Sequence, residues 1–181
     1  MDPLYDESTI AAVSRLKDSA LAIADLMDLD SHPAVDAWKQ AVENRLLPRL
    51  MPDFPLTVAI CGGGSAGKST LFNTLVSQVV SPTGGRAGIN RRLLISVNSS
   101  YQEQSGVAQA LFDPFDSPPQ FLADMDQLTV PGNPLLHFSD DMAVGMALLD
   151  TPDFETGAGG SYQNREMAER SLAAADVLVY I

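Results

Sequence analysis

Gly62-Gly63-Gly64-Ser65-Ala66-Gly67-Lys68-Ser69-Thr70 fits the pattern G-x-x-x-x-G-K-[ST], with an apolar run, Leu56 to Cys61, ahead of it and a helix-like run, Ser69 to Val79, behind it. Strand, loop, helix is the order in which this pattern has a physical meaning. Glycines let the backbone fold tightly around an anion, so that successive N–H groups and the positive end of the following helix converge on phosphate oxygens. In such a loop Lys68 reaches the β- and γ-phosphates and Ser69 offers its hydroxyl to Mg²⁺. The chemistry implied is the grip on a nucleoside triphosphate.

A second group follows downstream. The apolar stretch Ala143 to Leu149 runs straight into Asp150-Thr151-Pro152-Asp153. A carboxylate at the end of a strand, after a phosphate loop, is where a P-loop enzyme needs one: near Mg²⁺, directly or through water. Asp150 fills that place. Thr151-Pro152 supplies a rigid exit, and the glycine-rich stretch Gly157 to Gly160 can move when a γ-phosphate is lost.

The elements that must position these residues can be sketched from periodicity. Ser8 to Leu29 carries Ile10, Val13, Leu16, Leu21, Ile23, Leu26 and Met27 at helical spacing, and Pro33 starts a second helix with Val35, Trp38, Val42 and Leu46 along one stripe, ending near Pro48. Trp38 reads as a packing residue and His32 as a capping or solvated one. Pro52 to Pro55 is a linker. The helix after the loop is expected to bury Leu71, Phe72, Leu75 and Val79. Ser81 to Arg92, rich in glycine with one proline, is expected to be a mobile nucleotide-sensing loop. Arg92 to Val97 reads as a strand, followed by polar linker, a Pro-rich turn at Asp113 to Pro119 and a short helix through Phe121, Leu122, Met125 and Leu128. Leu135 to Phe138 and Ala143 to Leu149 read as an antiparallel strand pair turning at Ser139 to Met142, with His137 a packing residue and Asp140 and Asp141 turn residues. Tyr162 to Ala175 is a helix and Val177 to Ile181 a last apolar strand. The expected division is a helical segment, 1–51, and a partial nucleotide-binding domain, 56–181.

Bulk composition sets limits. The chain has 181 residues, 45% hydrophobic and 19% charged, enough to bury a core. A formal charge of −12 argues against nucleic acid as a partner for the segment as a whole, and gives membrane binding no support. The single cysteine, Cys61, excludes an internal disulfide and a cysteine metal cluster, and reads as a small buried hydrophobe. With no leader-like N-terminus and no apolar run long enough to span a bilayer, a cytoplasmic protein is expected.

Taken together, Gly63-Gly64-Ser65-Ala66-Gly67-Lys68-Ser69, the loop ending Gly88-Ile89-Asn90-Arg91-Arg92, and Leu148-Leu149-Asp150-Thr151-Pro152 resemble the G domain of dynamin-like large GTPases and their bacterial relatives. The resemblance implies an α/β P-loop NTPase fold, Ras-like or dynamin-like and truncated, preceded by two helices, with a long insertion between the second and third core strands and a helical bundle completed by later sequence. It implies GTP hydrolysis with Mg²⁺ by positioning and electrostatic stabilisation of an attacking water. The backbone from Gly62 to Thr70 would hold the phosphates, Lys68 neutralise them, and Ser69 and Asp150 serve Mg²⁺. Ser65 would help hold K⁺ or Na⁺, and Asn90, with Lys68 and Ser65, would belong to the catalytic set. Self-association through G domains is a further implication. Arg86, Arg91 and Arg92 are candidates for positive charge at the transition state, against a reading as solvated loop charges.

Three positions depart from the family pattern. Asn90 stands where threonine commonly precedes paired arginines, with Thr83 an upstream substitute. Asp153 takes the glycine position of Asp-x-x-Gly, and Gly64 stands where many dynamins carry a water-placing glutamine. An Asn/Thr-Lys-x-Asp guanine-reading motif is absent, and the resemblance places it beyond Val177 to Ile181, so an N-terminal fragment is expected. Two alternatives stay open: a P-loop ATPase or small-molecule kinase, and a nucleotide-gated interaction module with little hydrolysis.

Overall fold

The computed structural model describes residues 7–51, 53–84, 89–152 and 162–181. It divides into two compact units, Met1–Phe54 and Pro55–Ile181. In the first, helix α1 (Glu7–Leu26) is followed by α2 (Pro33–Ala41), a π-helical turn (Val42–Leu46) and a last short turn, α3 (Leu47–Arg49). His32 caps α2, its Nδ1 accepting from the Ala34 N–H, and Pro33 occupies the first turn where its missing N–H costs nothing. Lys17 on α1 donates to Glu43 at 2.9 Å, and that bond raises the lysine's pKa and lowers the carboxylate's. Trp38, expected to pack, is exposed, as are Leu16, Ile23, Leu26 and Leu46; among the described residues of this unit the buried apolar ones are Ala24 on α1, Val42 in the π-helical turn and Leu50 after α3.

The second unit contains strand β1 (Leu56–Cys61), helix α4 (Lys68–Val76), β2 (Leu94–Asn98), α5 (Ser105–Phe112), β3 (Leu135–Ser139), β4 (Met146–Asp150), α6 (Tyr162–Ala174) and β5 (Val177–Tyr180). The strands form one mixed sheet in the order β3-β2-β4-β1-β5. Strand β1 lies parallel to both β4 and β5. Strand β2 runs antiparallel to β4 and parallel to β3. The arrangement, an α/β sheet with a glycine-rich loop leaving β1 into α4, is consistent with a P-loop NTPase fold.

Here the expected hairpin is corrected. Leu135 to Phe138 and the strand ending at Leu149 do not pair with each other, because β2 lies between them and supplies the antiparallel partner of β4. Both flanking strands are apolar enough to be buried on two sides, and short-range alternation could not say which neighbour each would choose.

The core is Val58, Ile60, Phe72, Val76, Val80, Leu94, Leu128, Leu135, Met142 and Leu148. Helix α4 is shorter than expected: Ser77 takes a left-handed φ of 61° and ends it before Val79, and Leu75 within the helix and Val79 beyond it are exposed while Val76 and Val80 are buried. The expected polar linker after β2 instead holds a 3-10 turn (Ser99–Tyr101) and α5, which buries Ala110, Leu111 and Phe112. Phe121 is no helix residue but bridges Leu136 of β3, and the helical turn that follows is the 3-10 segment Met125–Thr129, opened by a capping box between Asp124 and Gln127. Strand β5 forms the sheet edge, with Val177, Leu178 and Tyr180 exposed.

Candidate functional site

Parallel pairing of β1 and β4 builds the site. The register sets Ile60 opposite Asp150, so the carboxylate emerges beside the point where β1 becomes the phosphate loop. Thr151 locks that exit by donating its hydroxyl to the Ile60 carbonyl at 2.8 Å. Two loop glycines have conformations that side chains resist. Gly62 has φ 149°, and a Cβ there would overlap the Ile181 carbonyl oxygen; Gly67 has φ 97° and forms the N-cap of α4. Ser65 is also left-handed, at φ 61°.

An open cavity of about 120 Å³ is lined by Ser65, Ala66, Gly67, Lys68, Ser69 and Thr70 from the loop and α4, and by Pro82, Thr83, Gly84, Ile89 and Asn90 from the segment expected to sense nucleotide. Of the expected phosphate-holding residues, Gly62, Gly63 and Gly64 do not line this cavity; Gly62 is buried and the other two are exposed. Lys68 is buried, its Nζ donating to the carbonyls of Gly62 at 3.2 Å and Gly63 at 2.9 Å. The lysine thus holds the loop closed on itself with the ammonium group that phosphates would engage.

Ser69 and Asp150 come together, the Ser69 hydroxyl donating to Asp150 Oδ2 at 2.9 Å. Asn90 joins them: its Nδ2 lies 2.9 Å from Ser69 Oγ and 3.0 Å from Asp150 Oδ2. Sequence reasoning missed a fourth member, Ser81. Its hydroxyl donates to the same Asp150 oxygen at 2.5 Å and receives Asn90 Nδ2 at 2.7 Å. It also missed what places Ser81. The Asn73 side chain on α4 accepts from the Val80 and Ser81 N–H groups at 3.0 and 2.9 Å and donates to the Ser81 carbonyl at 2.7 Å. An asparagine within a helix beside an apolar face was the available signal, since buried amides are retained where they satisfy backbone groups.

The residues suit a hard divalent cation. Ser69, Ser81 and Asp150 offer oxygen ligands, and Asn90 Oδ1 is buried with no hydrogen-bond partner among the described residues. One carboxylate with neutral oxygens fits Mg²⁺, which keeps waters and phosphate oxygens in its remaining positions.

The arginines fare differently. Arg92 is buried, donating to the Asn133 carbonyl at 2.6 Å and Gln120 Oε1 at 2.9 Å, with burial lowering its pKa. Arg91 lines a separate cavity with Phe115, Asp116, Glu166 and Arg170. Neither lines the phosphate-loop cavity. Arg86, Asp153 and the Gly157 to Gly160 stretch lie outside the described residues. Cys61 is buried with its thiol pKa raised by desolvation, as expected of a packing residue. His137 is half-buried, Nδ1 3.0 Å from Ser96 Oγ, and burial lowers its pKa.

Among the described residues, no helix is long and apolar enough to cross a membrane. In comparisons with known proteins, no family model and no curated protein matches this chain. A solved structure of Era in complex with MgGDPNP and nucleotides 1506–1542 of 16S ribosomal RNA is similar at 23% identity and a TM-score of 0.39, over 68% of this chain and 29% of that one.

Proposed function

We propose that the chain carries the phosphate-binding half of a P-loop GTPase of dynamin-like type, which binds GTP with Mg²⁺ and hydrolyses it to GDP and phosphate. The observation that carries this reading is the 2.9 Å hydrogen bond to the buried Asp150 from Ser69, which lines the same cavity as the G-x-x-x-x-G-K-S loop.

In this reading the loop N–H groups and the α4 N-terminus hold the phosphates. Lys68 leaves the Gly62 and Gly63 carbonyls for phosphate oxygens, a charge-assisted exchange favoured by an anion over neutral acceptors. Ser69 and Asp150 hold Mg²⁺, which when bound offsets charge on the β- and γ-phosphates. Ser65, whose left-handed backbone sets it at the cavity wall, is the candidate for contact with K⁺ or Na⁺. Asn90 sits beside the metal-binding oxygens, where its amide can orient a water. A cytoplasmic location and self-association through G domains go with this reading.

Calorimetry with GTP, ATP and their diphosphates in Mg²⁺, followed by phosphate release with K⁺ present, tests it. Preferential GTP binding with turnover is expected. Tight ATP binding without GTP binding would move the chain to the ATPase or kinase reading. Binding without turnover would favour a nucleotide-gated interaction module, a reading supported by the placement of Arg91 and Arg92 away from the cavity.

A further inference from the structure

Three oxygens surround one point in the site. Ser69 Oγ, Ser81 Oγ and Asp150 Oδ2 lie 2.9, 2.7 and 3.0 Å from Asn90 Nδ2. The protons account for this arrangement. Both serine hydroxyls donate to Asp150 Oδ2, which leaves their lone pairs facing Asn90, and the two amide N–H groups answer the two serine oxygens. An ionised carboxylate accepts only, so the amide must turn its nitrogen, not its oxygen, towards Asp150. The consequence is that Asn90 Oδ1 is left buried without a hydrogen-bond partner among the described residues, on a residue only 7% exposed that lines the phosphate-loop cavity. Leaving such an acceptor unsatisfied is costly, and it points to a ligand that is not protein.

We propose that Ser81 is a direct oxygen ligand of the divalent cation in this site, and that the Asn90 amide nitrogen fills the cation's place until the cation binds. A donor N–H cannot ligate a metal ion. Entry of a divalent cation between the three oxygens would therefore expel the nitrogen, and a half-turn of the amide would present Oδ1 to the cation instead. Asn73 is the positioning residue: its three hydrogen bonds to the Val80 and Ser81 backbone fix the Ser81 hydroxyl on Asp150, and Ser81 is fully buried. Pro82, Thr83 and Gly84, which follow Ser81, line the phosphate-loop cavity together with Asn90.

The inference rests on the nucleotide-site reading, and the test separates the two. Ser81→Cys exchanges a hard oxygen for a soft sulfur of similar shape. In the full chain, with GTP present, the ratio of Cd²⁺ to Mg²⁺ affinity is expected to rise by about tenfold or more over wild type, because thiolate favours the softer ion. Cys61 is present in both proteins and cancels. In a ¹⁵N-asparagine-labelled sample, the Asn90 side-chain NH₂ pair, assigned by its absence in Asn90→Asp, is expected to change its chemical shifts on adding Mg²⁺ and GTP, as its hydrogen bonds to Ser69, Ser81 and Asp150 are exchanged for the cation. An unchanged Cd²⁺ to Mg²⁺ ratio, in a variant whose melting profile shows it folded, overturns the Ser81 assignment while the nucleotide reading stands. Should Ser81→Cys not fold, an Asn90 NH₂ pair unmoved by Mg²⁺ and GTP in wild type overturns the exchange by itself. Wild-type protein that binds no nucleotide overturns both.

Discussion

Ser69 and Asp150, separated by 81 positions in the chain, share a hydrogen bond of 2.9 Å. One residue lies in the first turn of α4 and the other ends β4, and the parallel register of β1 with β4 is what brings them to the same C-terminal end of these strands. The local order strand, loop, helix builds the glycine-rich loop; this long-range pairing sets a carboxylate beside the serine hydroxyl that follows it.

Lys68→Ala is expected to weaken nucleotide binding by about 100-fold or more, from the loss of two charge-assisted contacts at about 1.5 kcal/mol each. The melting temperature of the nucleotide-free protein should also fall, since Lys68 bridges the Gly62 and Gly63 carbonyls. Calorimetry with GTP and a thermal melt check the two effects; GTP affinity equal to wild type would refute the phosphate role.

Gly62→Ala is expected to destabilise the fold by about 1–3 kcal/mol from backbone strain alone, with more from the overlap between the new Cβ and the Ile181 carbonyl. Gly63→Ala, where a Cβ would meet nothing, is the matched control and should cost less. Chemical denaturation of both variants gives the comparison.

Arg92→Ala is expected to cost about 2–3 kcal/mol of stability, because the Asn133 carbonyl and Gln120 lose a buried charged donor. If Arg92 instead stabilised a transition state, the variant would lose turnover by orders of magnitude at unchanged stability. Denaturation and phosphate release measured on the same preparation tell these apart.

His137 gives a pH dependence. Its pKa in the fold is below the ordinary 6.5, with burial as the cause. The unfolded chain therefore takes up the proton first, so stability is full above 6.5 and is lost as pH falls through that value towards the lower folded pKa. His137→Gln is expected to flatten this slope between about pH 7 and pH 5. Melting temperatures across that range provide the check, and an unchanged slope would remove His137 as its source.

The loop was legible because its chemistry is local. Glycine, lysine and serine at fixed offsets specify backbone freedom, charge and a hydroxyl whatever the rest of the chain does, and Leu56 to Cys61 is apolar enough to be recognised as the strand ahead of them. Asp150 was legible for a similar reason, as a carboxylate ending an apolar run. The helices α1 and α2 followed from periodicity and from His32-Pro33. The segment after β2 was read as linker because Ser99 to Ser105 is polar, while the apolar run Ala108 to Phe112 that α5 buries is too short for its period to stand out.

What the sequence determined by itself was therefore the glycine-rich loop between β1 and α4 and the kinds of atom it presents. Tertiary structure alone decided that β2 intervenes between β3 and β4 and that Arg92 supports the Asn133 turn instead of the cavity. It also decided that Ser81 and Asn90 meet on Asp150 under the hold of Asn73. Each of these depends on which buried surface wins among several apolar partners, and on hydrogen bonds between residues far apart in the chain. Neither is encoded in the spacing of any one segment.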